Sequence, residues 1–176
     1  GVTSVAVKNG IVAVASPNAD ETQNGSVVFF DTNGTFLKQV TVGALPDMIT
    51  FSPDGTKVLT ANEGQPNTDY SIDPEGSVSI IDISGGITSL TQANVTTLFF
   101  TNYNANEASL IASGVRKLKT TSTLSQDFEP EYITINSDSQ KAWVTLQENN
   151  AIAEINLVTN TISDVWALGT KDVSLP

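Results

Sequence analysis

One stretch of the sequence occurs twice, and this repeat constrains the fold more than any other feature. The segment "LPDMITFSPDGTKVLTANEG" from residue 45 matches "EPEYITINSDSQKAWVTLQENN" from residue 129 when Pro46 and Pro130 are aligned. Both copies carry an acidic residue after the proline, a turn with aspartate, a lysine, a hydrophobic run and a glutamate. A weaker version precedes them near the N-terminus. The chain is therefore built from similar structural units.

Each unit divides into short β-type runs that are separated by turn signals. In the third unit we predict strands at residues 132–136, 141–146, 151–156 and 161–167. In the other two units we predict strands at 4–8, 11–16, 27–31 and 36–42, then at 48–52, 57–62 and 77–83. Four strands in about 40 residues are typical of propeller blades. A jelly roll or sandwich also has many short strands, but it does not require the same turn and acidic positions in each unit.

The prediction is thus an all-β chain of about three four-stranded antiparallel β-propeller blades, an arc of a larger propeller. We place the blades at about residues 1–43, 44–100 and 129–169, with residues 170–176 leading into a next blade. Because a propeller closes with about 4 to 8 blades, we expect closure to need the remaining blades of a longer chain or a second copy.

Residues 101–128 interrupt the repeat, and we predict one short helix there. Apolar residues recur at helical spacing between Ala105 and Leu118, and Asn104 with Glu107 forms a capping-box pattern. We interpret the basic residues near its end as a solvated, dipole-stabilising helix terminus. These basic residues are Arg116, Lys117 and Lys119.

The charge and the missing residue types limit the function. The chain has 8 Lys and Arg against 19 Asp and Glu, a net charge of −11, which argues against nucleic-acid and anionic-membrane partners. No apolar run is long enough to insert into a membrane. Cysteine and histidine are absent, so any chemistry depends on carboxylates, hydroxyls, lysine or a hard cation such as calcium. We predict no catalytic residue.

Acidic residues recur in the two loops of each unit that a propeller brings to one face. We predict that they converge on one rim and bind calcium, which prefers clusters of oxygen ligands. The predicted ligands are Asp47, Glu63, Glu129, Glu131 and Glu148, with Asp20, Glu21 and Asp172 at related positions. The alternative is that these acids cap turns and bind backbone amides.

Other acidic and amide residues have more local interpretations. Asp31, Asp82 and Asn156 end third strands just before turns, and we predict that they form those turns. The segment at 69–76 is a second acidic group, which is either a solvated hairpin tip or a separate calcium loop.

The sequence also resembles a known family. The segment "AWVTLQENNAIAEINLVTNTISDVWALG" is similar to the YVTN type of propeller repeat, and the whole chain resembles the secreted bacterial propellers called choice-of-anchor I. That family is related to a mesenchyme-specific cell-surface glycoprotein, and its members are often labelled alkaline-phosphatase-like or phytase-like. The resemblance implies a secreted or cell-surface location.

Two functions of different class follow. The first is a non-catalytic module whose propeller face binds a protein or glycan partner, or calcium through the acidic rim. The second is a calcium-dependent phosphoesterase, which the resemblance implies. Phosphate substrates usually need Arg or Lys contacts, and few basic residues lie near the expected rim, so we favour the binding module.

Overall fold

A computed structural model describes residues 1–170 and Ser174 of the chain. In that part of the chain, twelve strands form three sheets of four strands. The first sheet comprises β1 (Ser4–Lys8), β2 (Ile11–Ser16), β3 (Asn24–Asp31) and β4 (Phe36–Ala44). The second comprises β5 (Pro46–Phe51), β6 (Lys57–Asn62), β7 (Ser77–Asp82) and β8 (Val95–Phe99). The third comprises β9 (Pro130–Ile135), β10 (Lys141–Leu146), β11 (Ala151–Asn156) and β12 (Thr161–Ala167).

Within each sheet the strands follow one another in chain order, and all neighbours are antiparallel. This is the meander of a propeller blade, so the predicted fold class is confirmed. In the outermost strand of the third sheet, Val165 is buried and Asp164 is exposed, as the period of two requires. The sequence did not predict β8, which two short 3₁₀-helices, Ile87–Ser89 and Gln92–Asn94, separate from the rest of its unit.

The predicted helix over 105–118 is too long. A 3₁₀-helix (Thr101–Asn106) leads into α1 (Glu107–Ser113), and α1 ends at Gly114, whose φ of 109° lies in the left-handed region that favours glycine. The predicted capping box is also wrong, because the Asn104 side chain donates a hydrogen bond to Ser125 Oγ at 3.0 Å instead. A one-turn helix, α2 (Leu124–Asp127), follows before the third sheet.

The sheets stack through their faces, and the middle sheet is buried on both sides. Val58 and Ile81 belong to a core cluster with the first sheet. Their neighbours Leu59 and Ile80 face the other way, into a second cluster with the third sheet. Because β6 and β7 are covered on both faces, they are nearly continuous runs of buried residues, unlike the alternating strands of the third sheet.

The first sheet is apolar on both faces but covered on only one. Cross-strand pairs place seven apolar side chains together on its other side, which we call the first open face. These residues are Val5, Val7, Val12, Val14, Val28, Phe30 and Phe36. Neither of the two core clusters includes any of them. Among the described residues, the three sheets therefore form an open arc rather than a closed ring.

We expect substitutions in the middle sheet to destabilise the chain far more than substitutions on the first open face. Ile80 is 2% exposed and Val7 is 61% exposed. Ile80→Ala should lower the free energy of unfolding by about 2–5 kcal/mol because it leaves a cavity, whereas Val7→Ala should change it by less than about 0.5 kcal/mol. Chemical denaturation of the monomeric chain measures both. Equal losses would mean that the first open face is packed.

Candidate functional site

The five acidic residues predicted as a rim lie at one end of the second and third sheets. Asp47 and Glu131 are the second residues of the innermost strands β5 and β9. Glu63 directly follows β6, Glu148 lies in the turn after β10, and Glu129 directly precedes β9. Because neighbouring strands are antiparallel, the start of each innermost strand lies beside the end of the next strand. The topology therefore gathers these carboxylates.

Glu63 shows the strongest electrostatic effect of this arrangement. Burial raises its pKa from 4.5 to about 7, although a hydrogen bond from the Gln65 side chain opposes the shift. The charges of Asp47, Glu129 and Glu131 raise the pKa further. Charged groups of the second and third units thus act on this one carboxylate, and we call Asp47, Glu63, Glu129 and Glu131 the acidic cluster.

Two further members of the cluster respond in the same direction. Burial is the largest cause of the raised pKa of Glu131, and the charges of Glu148, Asp47 and Glu129 add to it. Burial also raises the pKa of Glu129, and the Lys119 ammonium group opposes this shift. Mutual repulsion between carboxylates therefore acts across the rim.

The acids that cap turns behave in the opposite way. The backbone N–H of Thr35 donates to Asp31 at 2.8 Å and lowers its pKa, and hydrogen bonds from Ser84 lower the pKa of Asp82. Asn156 also accepts bonds from its own turn, so the three predicted turn formers are confirmed. For Glu63 and Glu131, by contrast, burial raises the pKa, and among the described residues no backbone N–H donates to either carboxylate.

A cleft with a volume of about 740 Å³ opens beside the acidic cluster. We call it the rim cleft. Its walls come from all three units, since loops after β2, β6 and β10 contribute together with the segment that precedes α2. The lining residues are Glu21, Gln65, Pro66, Asn67, Thr68, Tyr70, Leu118, Lys119, Glu129 and Glu148. Acidic, amide and apolar groups therefore line the same cleft. Glu21 belongs to the first unit, and Glu129 and Glu148 belong to the third.

Lys119 connects two walls of this cleft through ion pairs. Its ammonium group lies 3.3 Å from the Asp73 carboxylate and 3.3 Å from the Glu129 carboxylate, and its side chain is 15% exposed. Ser125 Oγ donates to the Glu75 carboxylate at 2.7 Å on the same wall. Gly76 allows the loop to come this close, because a Cβ there would lie 2.0 Å from the Phe128 carbonyl oxygen.

Behind this wall, the buried carboxylate of Asp127 stabilises the segment that leads into the third sheet. Asp127 is fully buried and accepts hydrogen bonds from the backbone N–H groups of Leu118 and Lys119 at 2.9 and 2.7 Å. Asn149, also buried, donates to the same carboxylate at 2.9 Å and accepts from the Glu129 N–H. The sequence analysis did not single out Asp127 and Asn149, because their hydrogen-bond partners lie elsewhere in the chain and no local pattern points to them.

The interpretation of the basic residues as a solvated helix end is wrong. All three lie beyond α1, in the irregular segment that leads to α2. Lys117 pairs with Glu107 at 2.8 Å, and Lys119 pairs across the cleft wall. Arg116 Nε donates to the backbone oxygen of Glu148 at 2.7 Å. Of the three, Lys119 contacts a carboxylate of the rim, Lys117 pairs with α1, and Arg116 is exposed but bound to the loop that carries Glu148.

Other predicted acids do not join the cluster. Asp20 accepts bonds from Thr22 within its own turn, and Asp69 does the same with Ser71. Asp73 and Glu75 bind groups of the cleft wall. The segment at 69–76 thus begins as a tip that is held by its own hydrogen bonds. Its later residues form a wall of the rim cleft. Asp172 lies outside the described residues.

The tip of this segment presents an aromatic ring at the mouth of the cleft. Tyr70 is 65% exposed and has a left-handed backbone with a φ of 59°. The Asn67 side chain accepts from the Ile72 N–H and donates to Ser71, which holds the tip in this shape. The cleft therefore offers an apolar surface next to its carboxylates.

The carboxylates repel one another but do not converge as metal ligands. Over the described part of the chain, no group of three or more Asp or Glu side chains is placed so that it could hold a metal ion. A calcium site would therefore need local rearrangement of the side chains that the sequence predicted as ligands.

The stacked four-stranded meanders define a β-propeller protein, and comparisons with known proteins agree. The model of the choice-of-anchor I domain matches residues 1–175, so the chain belongs to the choice-of-anchor I domain family. No curated protein matches the chain. In the described residues, no helix is long and apolar enough to cross a membrane.

Solved structures show the same fold at low sequence identity. A functionally unknown protein from Desulfotomaculum acetoxidans is 13% identical with a TM-score of 0.56, and the match covers 94% of this chain and 42% of that one. The propeller domain of the trilobed protease from Pyrococcus furiosus is 11% identical with a TM-score of 0.50, covering 94% and 41%. Hydrazine synthase from Kuenenia stuttgartiensis is 13% identical with a TM-score of 0.52, covering 88% and 39%. The chain spans less than half of each of these chains.

The raised pKa of Glu63 predicts a pH-dependent stability. Between the unfolded value of 4.5 and the folded value of about 7, the folded chain binds more protons at this site, so the free energy of unfolding falls as pH rises. Glu63→Gln removes the charge. At about pH 8 the variant should be more stable than the unmodified chain by about 1 kcal/mol after solvent screening, and at about pH 4, below the unfolded pKa, the difference should vanish.

Denaturant melts at both pH values measure this difference. Glu154→Gln is the matched control, because a hydrogen bond from Lys141 lowers the pKa of Glu154. Loss of the Glu154 charge should therefore lower the free energy of unfolding at the higher pH. A Glu63→Gln chain that is less stable than the unmodified chain at pH 8 would contradict the prediction.

Proposed function

We propose that the chain is a non-catalytic binding module of a secreted or cell-surface β-propeller protein, and that the rim cleft binds its partner. One observation carries this proposal. Among the described residues, the carboxylates of Glu21, Glu131 and Glu148 have no hydrogen-bond or ion-pair partner, although Glu21 and Glu148 line the cleft. Carboxylates that have no partner within the fold are available to bind cationic groups of a ligand.

The residues that line the cleft indicate which class of partner it would bind. The net charge of −11 and the unpaired carboxylates favour cationic groups and oppose anions. Tyr70 and Leu118 are 65% and 49% exposed, and they add apolar contact area. A protein surface with basic side chains meets both conditions, and so does an amino-bearing glycan. Membership of the choice-of-anchor I domain family supports a surface-anchored or secreted location.

The phosphoesterase alternative has weaker support. Lys119 is the one cation among the residues that line the cleft, and it already pairs with Asp73 and Glu129. A phosphate group would therefore meet unpaired carboxylates without a free cationic clamp. The cleft favours binding of cations over turnover of phosphate esters.

A binding panel tests the proposed function. Basic peptides, chitosan oligomers, neutral oligosaccharides and acidic peptides are titrated by calorimetry into the unmodified chain and into Glu148→Gln. We expect a basic peptide or chitosan to bind, with affinity at least about tenfold weaker in the variant because a charge-assisted contact is lost. Asp138→Asn, a surface change at the opposite end of the same sheet, is the control for loss of charge alone.

Two outcomes would reject the module assignment. One is the absence of any binding that depends on Glu148. The other is release of phosphate from a simple ester by the chain, dependent on calcium and abolished in Glu131→Gln, which would support the phosphoesterase instead.

Calcium is a second candidate ligand of the acidic rim. The mutual repulsion of Asp47, Glu63, Glu129 and Glu131 favours it, because a divalent cation relieves that repulsion. Glu148 contributes from the neighbouring turn. An ion would have to draw at least three of these carboxylates together, and the exposed or half-buried side chains of Asp47, Glu63 and Glu131 leave room to move.

Thermal melting distinguishes a calcium site from general charge screening. The chain is melted in chelator, in millimolar calcium, and in sodium chloride of matched ionic strength. Specific binding should stabilise the fold by about 2.7 kcal/mol at a hundredfold excess over the dissociation constant, and Glu63→Gln and Glu131→Gln should both lose this effect. The same melting temperature in calcium and in matched sodium chloride would remove calcium from the proposal.

A further inference from the structure

We propose that a groove at the outer edge of the second and third sheets binds a neutral saccharide. We call it the outer groove. Phe99, at the end of β8, and Ile162 and Asp164, on β12, line it from the sheets, and the segment that joins the two sheets lines its other side. The outer groove has a volume of about 320 Å³, which lies in the range of small-ligand sites.

The two sheets that flank the outer groove pack directly on each other. β8 and β12 are the outermost strands of these sheets. Ile162 packs against the core between them, and so does Leu110 of α1. The outer groove shares no lining residue with the rim cleft, so this proposal and the proposed function can fail separately.

The segment that interrupts the sequence repeat forms the polar wall of the outer groove. Five of its residues recur at spacings of three and four, so they lie on one side of the 3₁₀-helix Thr101–Asn106 and of α1. This side presents amide and hydroxyl groups to the groove. The five residues are Asn102, Tyr103, Asn106, Ser109 and Leu110.

Contacts behind this wall hold it in place. Phe100 is fully buried, and the centroid of its ring lies 5.3 Å from that of Phe128 and 6.4 Å from that of Tyr103. Asn104 Nδ2 donates to Ser125 Oγ at 3.0 Å, and Asn104 Oδ1 accepts from the Ser125 N–H at 2.9 Å. The wall is therefore preorganised, which reduces the entropy that a ligand loses on binding.

Most polar groups of the outer groove are free to bind a ligand. The Asp164 carboxylate accepts a hydrogen bond from the Val165 N–H at 2.8 Å and keeps further acceptor positions. Ligand hydroxyls can replace the water around such exposed groups and reproduce its hydrogen bonds. Within the described part of the chain, the lining side chains without a hydrogen-bond partner are Asn102, Tyr103, Asn106 and Ser109.

Aromatic rings add an apolar surface beside these polar groups. The Phe99 side chain is 48% exposed, and Tyr103 is half-buried. Burial and the charge of Asp164 raise the pKa of Tyr103, so its hydroxyl stays protonated and can donate a hydrogen bond. A sugar ring has a face of C–H groups with hydroxyls around it, and it therefore fits a site that combines an aromatic ring with amides and a carboxylate.

The same groups disfavour other classes of small ligand. Among the described residues, neither Lys nor Arg lines the outer groove, and Asp164 repels anions. A wholly apolar ligand would leave the amides without partners. A quaternary ammonium ion would contact the rings and Asp164, but it could not accept hydrogen bonds from Asn102 and Asn106. A neutral saccharide uses the donors and the acceptors together.

Titration calorimetry and saturation-transfer NMR with neutral trisaccharides test the site. The panel contains trimers of α-linked glucose, β-linked glucose, galactose, mannose, xylose and N-acetylglucosamine. We expect at least one trimer to bind with a dissociation constant of about 1 mM or lower. Phe99→Ala should weaken binding at least about tenfold because it removes apolar contact area, and Asn102→Ala at least about threefold because it removes hydrogen bonds.

A matched variant controls for loss of an exposed ring. Phe36→Ala changes an aromatic side chain that is 58% exposed on the first sheet, and it should leave the affinity for the trimer unchanged. Asn102 is exposed and its side chain has no partner in the described part of the chain, so Asn102→Ala should fold normally even if Phe99→Ala does not.

Four outcomes would overturn the proposal. The first is that no trimer of the panel binds at concentrations up to about 10 mM. The second is equal weakening by Phe36→Ala, which would show unspecific contact. The third is a trimer whose affinity falls in Glu148→Gln and not in Phe99→Ala, because that trimer occupies the rim cleft. The fourth is that tetramethylammonium binds in a Phe99-dependent way and no trimer does, which would make the site a cation cage.

Discussion

Apolar packing between the faces of successive blades is the interaction on which the rest of the structure depends. A four-stranded meander has two faces, and it buries an apolar face only by stacking on another sheet. The middle sheet satisfies this need twice, with Val58 and Ile81 on one side and Leu59 and Ile80 on the other. All loops that build the rim cleft are anchored to sheets held in place by these two cores.

The stacking also determines where charge collects. Blades that pack face to face place their innermost strands side by side, and the carboxylates at the start of β5 and β9 are brought within range of one another. Local sequence does not require this repulsion, because within the part of the chain that the structure describes no turn N–H donates to Glu63 or Glu131. The packing of the two cores and a buried hydrogen-bond network offset the unfavourable free energy of this repulsion. In that network Asp127 accepts three hydrogen bonds.

The sequence predicted the strands well because strand periodicity and turn residues are local signals. Four predicted strands in the third unit matched β9 to β12 within two residues, and the topology of the repeat explains why the charge of Glu131 acts on Glu63. Features that depend on distant contacts were missed. Helix α1 stops at Gly114, which frees Lys119 to pair with Asp73, 46 residues earlier in the chain. No motif encodes such a pairing.

The pKa shifts differ in sign between the acids that form turns and the acids of the rim. An acid that stabilises a turn is itself stabilised in its charged form, and Asp31 and Asp82 show the lowered pKa that this requires. Glu63, Glu129 and Glu131 show the reverse. Their charged forms are therefore disfavoured by the fold, and a bound cation or proton would relieve them. A cationic partner in the rim cleft would therefore reduce the repulsion between carboxylates that the packing of the blades creates.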